Sequence, residues 1–372
     1  MAIHAAKTDT VFMQRVLELA TQGRGWVSPH AMVGAVVVKD DQIVGEGFLP
    51  GVGKEHAEVF ALEAAGDAAE GATLYLNLEP CLACVRRIQE AGIRKVVLAT
   101  EDANPMTSGR GLMALREAAI PTELGDSAEA ARRLNEIYFR YIATKRPFVA
   151  IRTAMSLDGK IATSVGESQY ISGPAANAHL QLLRATFDAV MVGINTVLQD
   201  DPDPDCALPR CRNPLRIVVD SMARTPTTAK VLGKPGPAMS RPLTMVAVTK
   251  YAPEDRIRAL QAAGAEVLVI SETGDRLDPH VDLNKLMQLL GRRGITSVLL
   301  EGGSNLNAAA LQAGIVEKLY LTVAPIILGG LAPTPVAGMG VTFVEEAQRL
   351  QRMRCANLGE DLLIEAYLRD DD

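Results

Sequence analysis

Aromatic side chains are scarce in this sequence: they make up 4 % of its 372 residues, and Trp26 is the single tryptophan. A core with so few rings must be aliphatic, and an apolar content of 48 % suits α/β packing. Cysteine is also scarce and odd in number, at five, so a disulfide framework is not expected and a reducing cytoplasm fits. No run approaches the ~20 apolar residues of a membrane span. The N-terminal residues show neither a signal-peptide core nor a basic amphipathic transit pattern, which points to a cytoplasmic protein without a membrane partner. Positive charge is in deficit, with a net charge of −6, and that argues against a nucleic-acid partner. Internal repeats and low-complexity tracts are missing. So is a G-x-G-x-x-G run, and a nicotinamide cofactor in a standard Rossmann site is not indicated.

What is present is organised around two short runs, His56-Ala57-Glu58 and Pro80-Cys81-Leu82-Ala83-Cys84. Together they read H-x-E and P-C-x-x-C, the zinc deaminase signature. One imidazole and two thiolates (His56, Cys81, Cys84) hold a tetrahedral zinc ion, one per chain, with its fourth position open. Water there ionises near neutral pH, and a carboxylate that is not a ligand, Glu58, can carry its proton to the leaving amine. The run from Ala57 to Ala65 is a strong helix former that stops at Gly66. Two helical positions lie about 200° apart, so His56 must sit at or before the first turn if it and Glu58 are to face one ion. Thr73 to Leu78 reads as a strand and Cys81 to Gln89 as a helix, whose positive end favours the two thiolates.

The length calls for two domains. Asp9 or Thr10 caps a first helix that ends at Gly23, and Trp26 follows as a packing residue. Val33 to Lys39 and Ile43 to Glu46 form a hairpin about Asp40-Asp41, Val96 to Ala99 is a further strand, and Gly109 to Ala119 and Ser127 to Tyr141 are helical. At Lys145-Arg146-Pro147 the β-α alternation restarts, beginning with a strand from Phe148 to Ala154. Short buried strands centre on Met191, Val218, Val246, Leu268 and Leu299, with helices at Ala175 to Ala185, Asp255 to Ala263 and Val281 to Leu290. Polar residues and glycines follow several strands, where open α/β sheets bind ligands: Gly193, Asp220 and Glu301-Gly302-Gly303. Glu301-Gly302-Gly303-Ser304 is either a phosphate cradle or a plain tight turn. Gly233 to Pro242 reads as a mobile, structurally neutral loop.

These residues, in order from about 11 to 368, resemble the bifunctional riboflavin-biosynthesis deaminase–reductase family. The carriers in the first half are His56-Ala57-Glu58-Val59, Asn77-Leu78-Glu79-Pro80-Cys81 and Gly109-Arg110-Gly111. In the second they include Ser156-Leu157-Asp158-Gly159-Lys160, Gly166-Glu167-Ser168, Leu183-Arg184-Ala185, Asp200-Asp201-Pro202 and Glu301-Gly302-Gly303. The resemblance implies a cytidine-deaminase-like three-layer α/β/α domain over 1–145 and a dihydrofolate-reductase-like α/β domain over 146–372. It implies deamination of a diaminopyrimidine ribosyl phosphate, then NADPH-dependent reduction of the ribosyl to a ribityl chain, in a homo-oligomer whose partner is a small pyrimidine nucleotide. Carried over, Ser168, Arg184 and Glu301 contact the reductase substrate, while Ala154, Thr196, Asp200, Ser221 and Gly303 line the NADPH site.

Departures cluster near the expected sugar-phosphate end. The family carries a longer insert between its zinc cysteines than Leu82-Ala83. Its N-P-x-V-G motif appears as His30-Ala31-Met32-Val33-Gly34, and its L-T-x-R as Pro204-Asp205-Cys206-Ala207, which leaves Arg210 or Arg212 as candidate replacements for the missing arginine. Tyr170 stands where tryptophan is usual. A second reading follows: a paralogue acting on a pyrimidine altered at that end, or one degenerate half. His30 is either a base or ribose contact or a structural residue. Asp158 and Lys160 read as site residues, His179 as packed or solvated and His280 as a surface residue. Cys206 and Cys211 read as free thiols, and Cys355 as core.

Overall fold

The computed structural model describes residues 2–168, 171–209, 211–233, 244–275 and 277–369, and the chain divides into two compact units, Met1–Lys145 and Arg146–Asp372. Both are α/β. Among the described residues no helix is long and apolar enough to cross a membrane.

The first unit runs α1 (Ala2–Ala20), β1 (Gly34–Lys39), β2 (Gln42–Phe48), α2 (Ala57–Ala65), β3 (Thr73–Leu76), α3 (Leu82–Glu90), β4 (Lys95–Leu98), α4 (Arg110–Glu117), β5 (Thr122–Leu124), α5 (Ala128–Leu134) and α6 (Glu136–Thr144). Its sheet has the order β2-β1-β3-β4-β5, antiparallel as far as β3 and parallel from there. Asp40 and Asp41 both take positive φ (52° and 56°), as a tight two-residue hairpin turn requires. Alternation along the strands sorts the core into two layers. Val37, Leu74, Leu76, Val96 and Leu98 pack with Ala61, Leu62, Val85, Ile88 and Leu115 of α2, α3 and α4. Val36, Val38, Tyr75 and Val97 pack on the opposite face against Phe12, Val16, Leu19 and Ala131 of α1 and α5. The result is a three-layer sandwich.

The second unit contains β6 (Phe148–Ser156), α7 (Pro174–Thr186), β7 (Ala189–Gly193), α8 (Ile194–Asp200), β8 (Leu215–Val219), β9 (Thr244–Val248), α9 (Glu254–Ala262), β10 (Glu266–Val269), β11 (Glu272–Thr273), β12 (His280–Val281), α10 (Leu283–Arg292), β13 (Ser297–Leu300), α11 (Ser304–Gln312), β14 (Lys318–Ala324), β15 (Gln351–Leu358) and β16 (Asp361–Tyr367). Nine strands form one sheet, β10-β9-β8-β7-β13-β6-β14-β16-β15, parallel through β14 and antiparallel at β16 and β15. The parallel strands carry near-continuous apolar runs, as strands buried on both faces do. Their carboxyl ends gather at one edge.

Several expectations need correction. The first helix begins at Ala2, a turn or more before Asp9. Ser127 to Tyr141 is two helices, because the buried Asn135 leaves helical geometry to accept from Met32 N–H (2.7 Å) and donate to Met32 C=O (2.9 Å). Trp26 is 46 % exposed and packs little. Cys355 is exposed on the edge strand β15. The proposed loop over Gly233 to Pro242 falls, beyond Gly233, outside the described residues, as do Tyr170 and Arg210.

The glycines of β2 let α2 rest directly on the sheet. A Cβ on Gly47 would collide with Ala57 O, and one on Gly45 with Ala61 O. Gly47→Ala should therefore push the first turn of α2 outward and cost about 1–3 kcal/mol of stability. Urea denaturation followed by circular dichroism checks this; an unchanged midpoint would contradict it.

Candidate functional site

Two helix starts converge in the first unit. His56 is the N-cap of α2, with extended backbone (φ −75°, ψ 161°), and Cys81 is the N-cap of α3 (φ −73°, ψ 165°). Neither backbone is yet helical, so each side chain swings away from the face that its helix would impose. His56 Nδ1 lies 3.1 Å from Cys84 Sγ and 3.6 Å from Cys81 Sγ, and the sulfurs are 3.4 Å apart. These separations lie within about half an ångström of the roughly 3.5–3.8 Å edges of a tetrahedron with zinc–nitrogen and zinc–sulfur bonds of ~2.0 and ~2.3 Å. Among the described residues this is the one His/Cys/Asp/Glu group compact enough to hold a metal ion.

Glu58, in the first turn of α2, is 2 % exposed, and its Oε2 has no hydrogen-bond partner among the described residues. Burial pushes its carboxyl above the ordinary carboxylate range. Hydrogen bonds from Cys84 and then His56 push the Cys81 thiol down to about 3, while its hydrogen bond to that sulfur, and burial, push Cys84 up. The protein alone thus stabilises one thiolate. A divalent cation is what allows two. An unpaired buried oxygen beside a nitrogen and two sulfurs fits a catalytic zinc site.

At the edge of the second sheet, the candidate residues sit in pairs. Arg184 of α7 and Glu301 after β13 form a bidentate ion pair, Nε–Oε1 2.8 Å and Nη2–Oε2 2.7 Å, and both are largely buried. Arg184 Nη1 also donates to the carbonyls of Asp203 and Asp205, each at 3.1 Å. Its whole guanidinium is therefore engaged by the chain. Thr196, in the first turn of α8, accepts at Oγ1 from Gly303 N–H at 3.1 Å, and a Cβ on Gly303 would crowd that oxygen. Ser168 hydrogen-bonds Asp200, whose carboxyl burial pushes up while that bond pulls it down. Ala154 lies on β6 opposite Thr322, and Ser221 follows β8, accepting at its carbonyl from Thr249.

Sequence reasoning passed over Arg152 on β6. Its Nη2 is buried without a hydrogen-bond partner among the described residues, and Glu301, Arg184 and Asp361 are charged groups that act on it. A lone arginine inside an apolar strand run was the available signal. The altered loop after Asp200 is firmly held. Asp205 pairs with the buried Arg216, and Arg212 with Asp188 at 2.6 Å. Cys206 and Cys211, expected as free thiols, form a disulfide: their Cα atoms lie 6.4 Å apart, within bridging range. His30 is exposed and His280 lies on the surface beside Asp278.

Residues 6–100 match the cytidine and deoxycytidylate deaminase zinc-binding region, and residues 147–364 match the RibD C-terminal domain. The chain is 39 % identical to the riboflavin biosynthesis protein RibD of Actinobacillus pleuropneumoniae, over 96 % of this chain and 95 % of that protein. To its Escherichia coli (strain K12) counterpart it is 35 % identical, over 96 % and 98 %. Among solved structures, RibD of Acinetobacter baumannii (form 2) superposes with a TM-score of 0.82 at 33 % identity, covering 98 % of this chain and 99 % of that one. A diaminohydroxyphosphoribosylaminopyrimidine deaminase/5-amino-6-(5-phosphoribosylamino)uracil reductase of Thermotoga maritima gives 0.82 at 31 %, with the same coverage.

The raised Asp200 carboxyl has a measurable consequence. A carboxyl held above its unfolded value contributes stability at low pH that is lost as pH climbs from that unfolded value, about 3.9, through the folded one. Asp200→Asn, neutral throughout, should melt higher than the parent at pH 7, and the gap should close below about pH 4. Equal melting temperatures at pH 7 would contradict this.

Proposed function

The chain belongs to the RibD family of riboflavin biosynthesis, and from that premise we propose which residues carry each of its two reactions. It is a bifunctional enzyme, a deaminase and a reductase, with full-length relatives that support this over a paralogue of altered chemistry. We assign deamination to 1–145 and reduction to 146–372. The substrate of the first step is a diaminopyrimidine ribosyl phosphate, and the second step reduces its ribosyl moiety to ribityl.

In the deaminase, His56, Cys81 and Cys84 hold zinc. The ion supplies the Lewis acidity that makes water nucleophilic near neutral pH. Glu58 does the proton work: Oε2, unpaired and buried, accepts a proton from the attacking water and delivers it to the amino nitrogen that leaves as ammonia. Burial raises its affinity for protons, which favours its taking one from water. That orphan oxygen beside three converging ligand atoms is the observation that carries the assignment.

In the reductase, NADPH supplies the hydride. Ala154, Thr196, Asp200, Ser221 and Gly303 line its site, supported by the Thr196–Gly303 contact at the N-terminus of α11, where backbone N–H groups favour an anion. Ser168, Arg184 and Glu301 bound the substrate. The bidentate pair supports a division of labour: Arg184 orients the Glu301 carboxylate, and Arg152 Nη2 is the buried donor left for the ribosyl group. We further assign the protein to the cytoplasm and to a homo-oligomer, an assembly that the exposed Phe343, Val344 and Met353 near the edge strand β15 support.

Two variants separate the reactions. Glu58→Gln should lower ammonia release by at least about 10²-fold while NADPH oxidation on deaminated substrate stays within twofold. Arg152→Met should do the reverse, raising the reductase KM about tenfold or more. Parallel loss of both activities in either variant would overturn the division.

A further inference from the structure

Glu79 lies two residues before Cys81, just past the carboxyl end of β3, and it is 6 % exposed. Its carboxylate is spent on backbone. Oε2 accepts from the N–H groups of Asp102 (3.2 Å) and Gly109 (3.0 Å), and Oε1 accepts from that of Leu112 (3.1 Å). All three donors belong to the stretch that leaves β4 and enters α4. Strands β3 and β4 are parallel, with Leu76 beside Leu98, so the segments leaving them emerge side by side at one edge. Ligand clefts of such sheets lie outside these carboxyl ends. The stretch from Asp102 to Gly109 is thus the wall next to the metal-ligand loop.

The joint is closed from the other side as well. A Cβ on Gly111 would run into Pro80 O and approach Glu79 Cγ to 3.1 Å, so only glycine lets α4 seat against the loop. Inside the wall, Asp102 repeats the device, accepting from Asn104 N–H (3.0 Å), Thr107 Oγ1 (2.5 Å) and Tyr138 OH (2.7 Å). Bonds to an ionised acceptor are about twice as strong as neutral ones. Glutamine cannot replace Glu79, because it has one acceptor oxygen and its amide N–H groups would oppose the remaining donors.

We infer that Glu79 is a positioning residue of the deaminase reaction, locking the Asp102–Gly109 wall against the loop that carries Cys81 and so setting the cleft that receives the pyrimidine. This rests on the assignment of His56, Cys81, Cys84 and Glu58 given above. His56, Cys81 and Cys84 make none of these three hydrogen bonds to the wall, so the two can be separated by experiment.

In Glu79→Gln, zinc should remain at one per chain. The deaminase KM should rise at least about tenfold with a smaller change in kcat, and reductase kinetics of the same chain should not move. Hydrogen–deuterium exchange gives a second readout: the amides of Asp102, Gly109 and Leu112 should be protected in the parent, and in Glu79→Gln they should exchange at loop rates. Unprotected amides in the parent, an unchanged deaminase KM, or a loss confined to kcat or to zinc would each overturn the inference. A parent chain that binds no zinc and releases no ammonia would instead overturn the underlying metal assignment, and the amide protection would still be read independently.

Discussion

An imidazole and a carboxylate two residues apart point in nearly opposite directions on a regular helix, yet zinc deamination needs both at one spot. The chain resolves this by ending its extended backbone at His56 and beginning the helix at Ala57. The same solution is used at Cys81, which stays extended while Cys84 is already inside α3. The sheet under α2 and α3 holds those two helix starts in place. Glycines in β2 seat α2 on the sheet, and the aliphatic layer beneath α2 and α3 fixes their direction.

The second unit depends on a different constraint. Charge is buried at the carboxyl edge of its sheet, and it is tolerated because Arg184 and Glu301 satisfy each other bidentately, with two loop carbonyls closing the remaining valence. Removing either partner would strand the other, at a cost of about 3–5 kcal/mol. The pair also ties α7 to the turn after β13 and to the loop after α8. Three segments far apart in sequence are thereby brought into one site, with Arg152 beside them, its Nη2 lacking a hydrogen-bond partner among the described residues.

How much of this was legible follows from where the information sits. The helix from Ala57 to Ala65 could be read to the residue, since its formers and its Gly66 stop are local. The H-x-E and P-C-x-x-C runs named, for the same reason, three side chains that the fold brings together. Asn135, Glu79 and Arg152 were opaque: the first two act through partners 23 to 103 residues away, and Arg152 Nη2 has no hydrogen-bond partner among the described residues. Strand β14 was missed although it alternates, because Lys318 occupies a buried position, where the rings of Tyr320 and Tyr367 cover its ammonium at 4.8 Å each. Strand β15 has almost no buried residue to mark it. The Cys206–Cys211 bridge escaped because an odd cysteine count speaks for the whole chain and not for one turn.

The central claim is a metal held by one nitrogen and two sulfurs with an open position beside Glu58. Zinc K-edge absorption on the purified, metal-replete chain tests it directly. The account predicts one zinc with two sulfurs at ~2.3 Å and two lighter neighbours at ~2.0 Å, one of them an imidazole. A shell of four sulfurs, a shell of oxygen alone, or no stoichiometric zinc would contradict it.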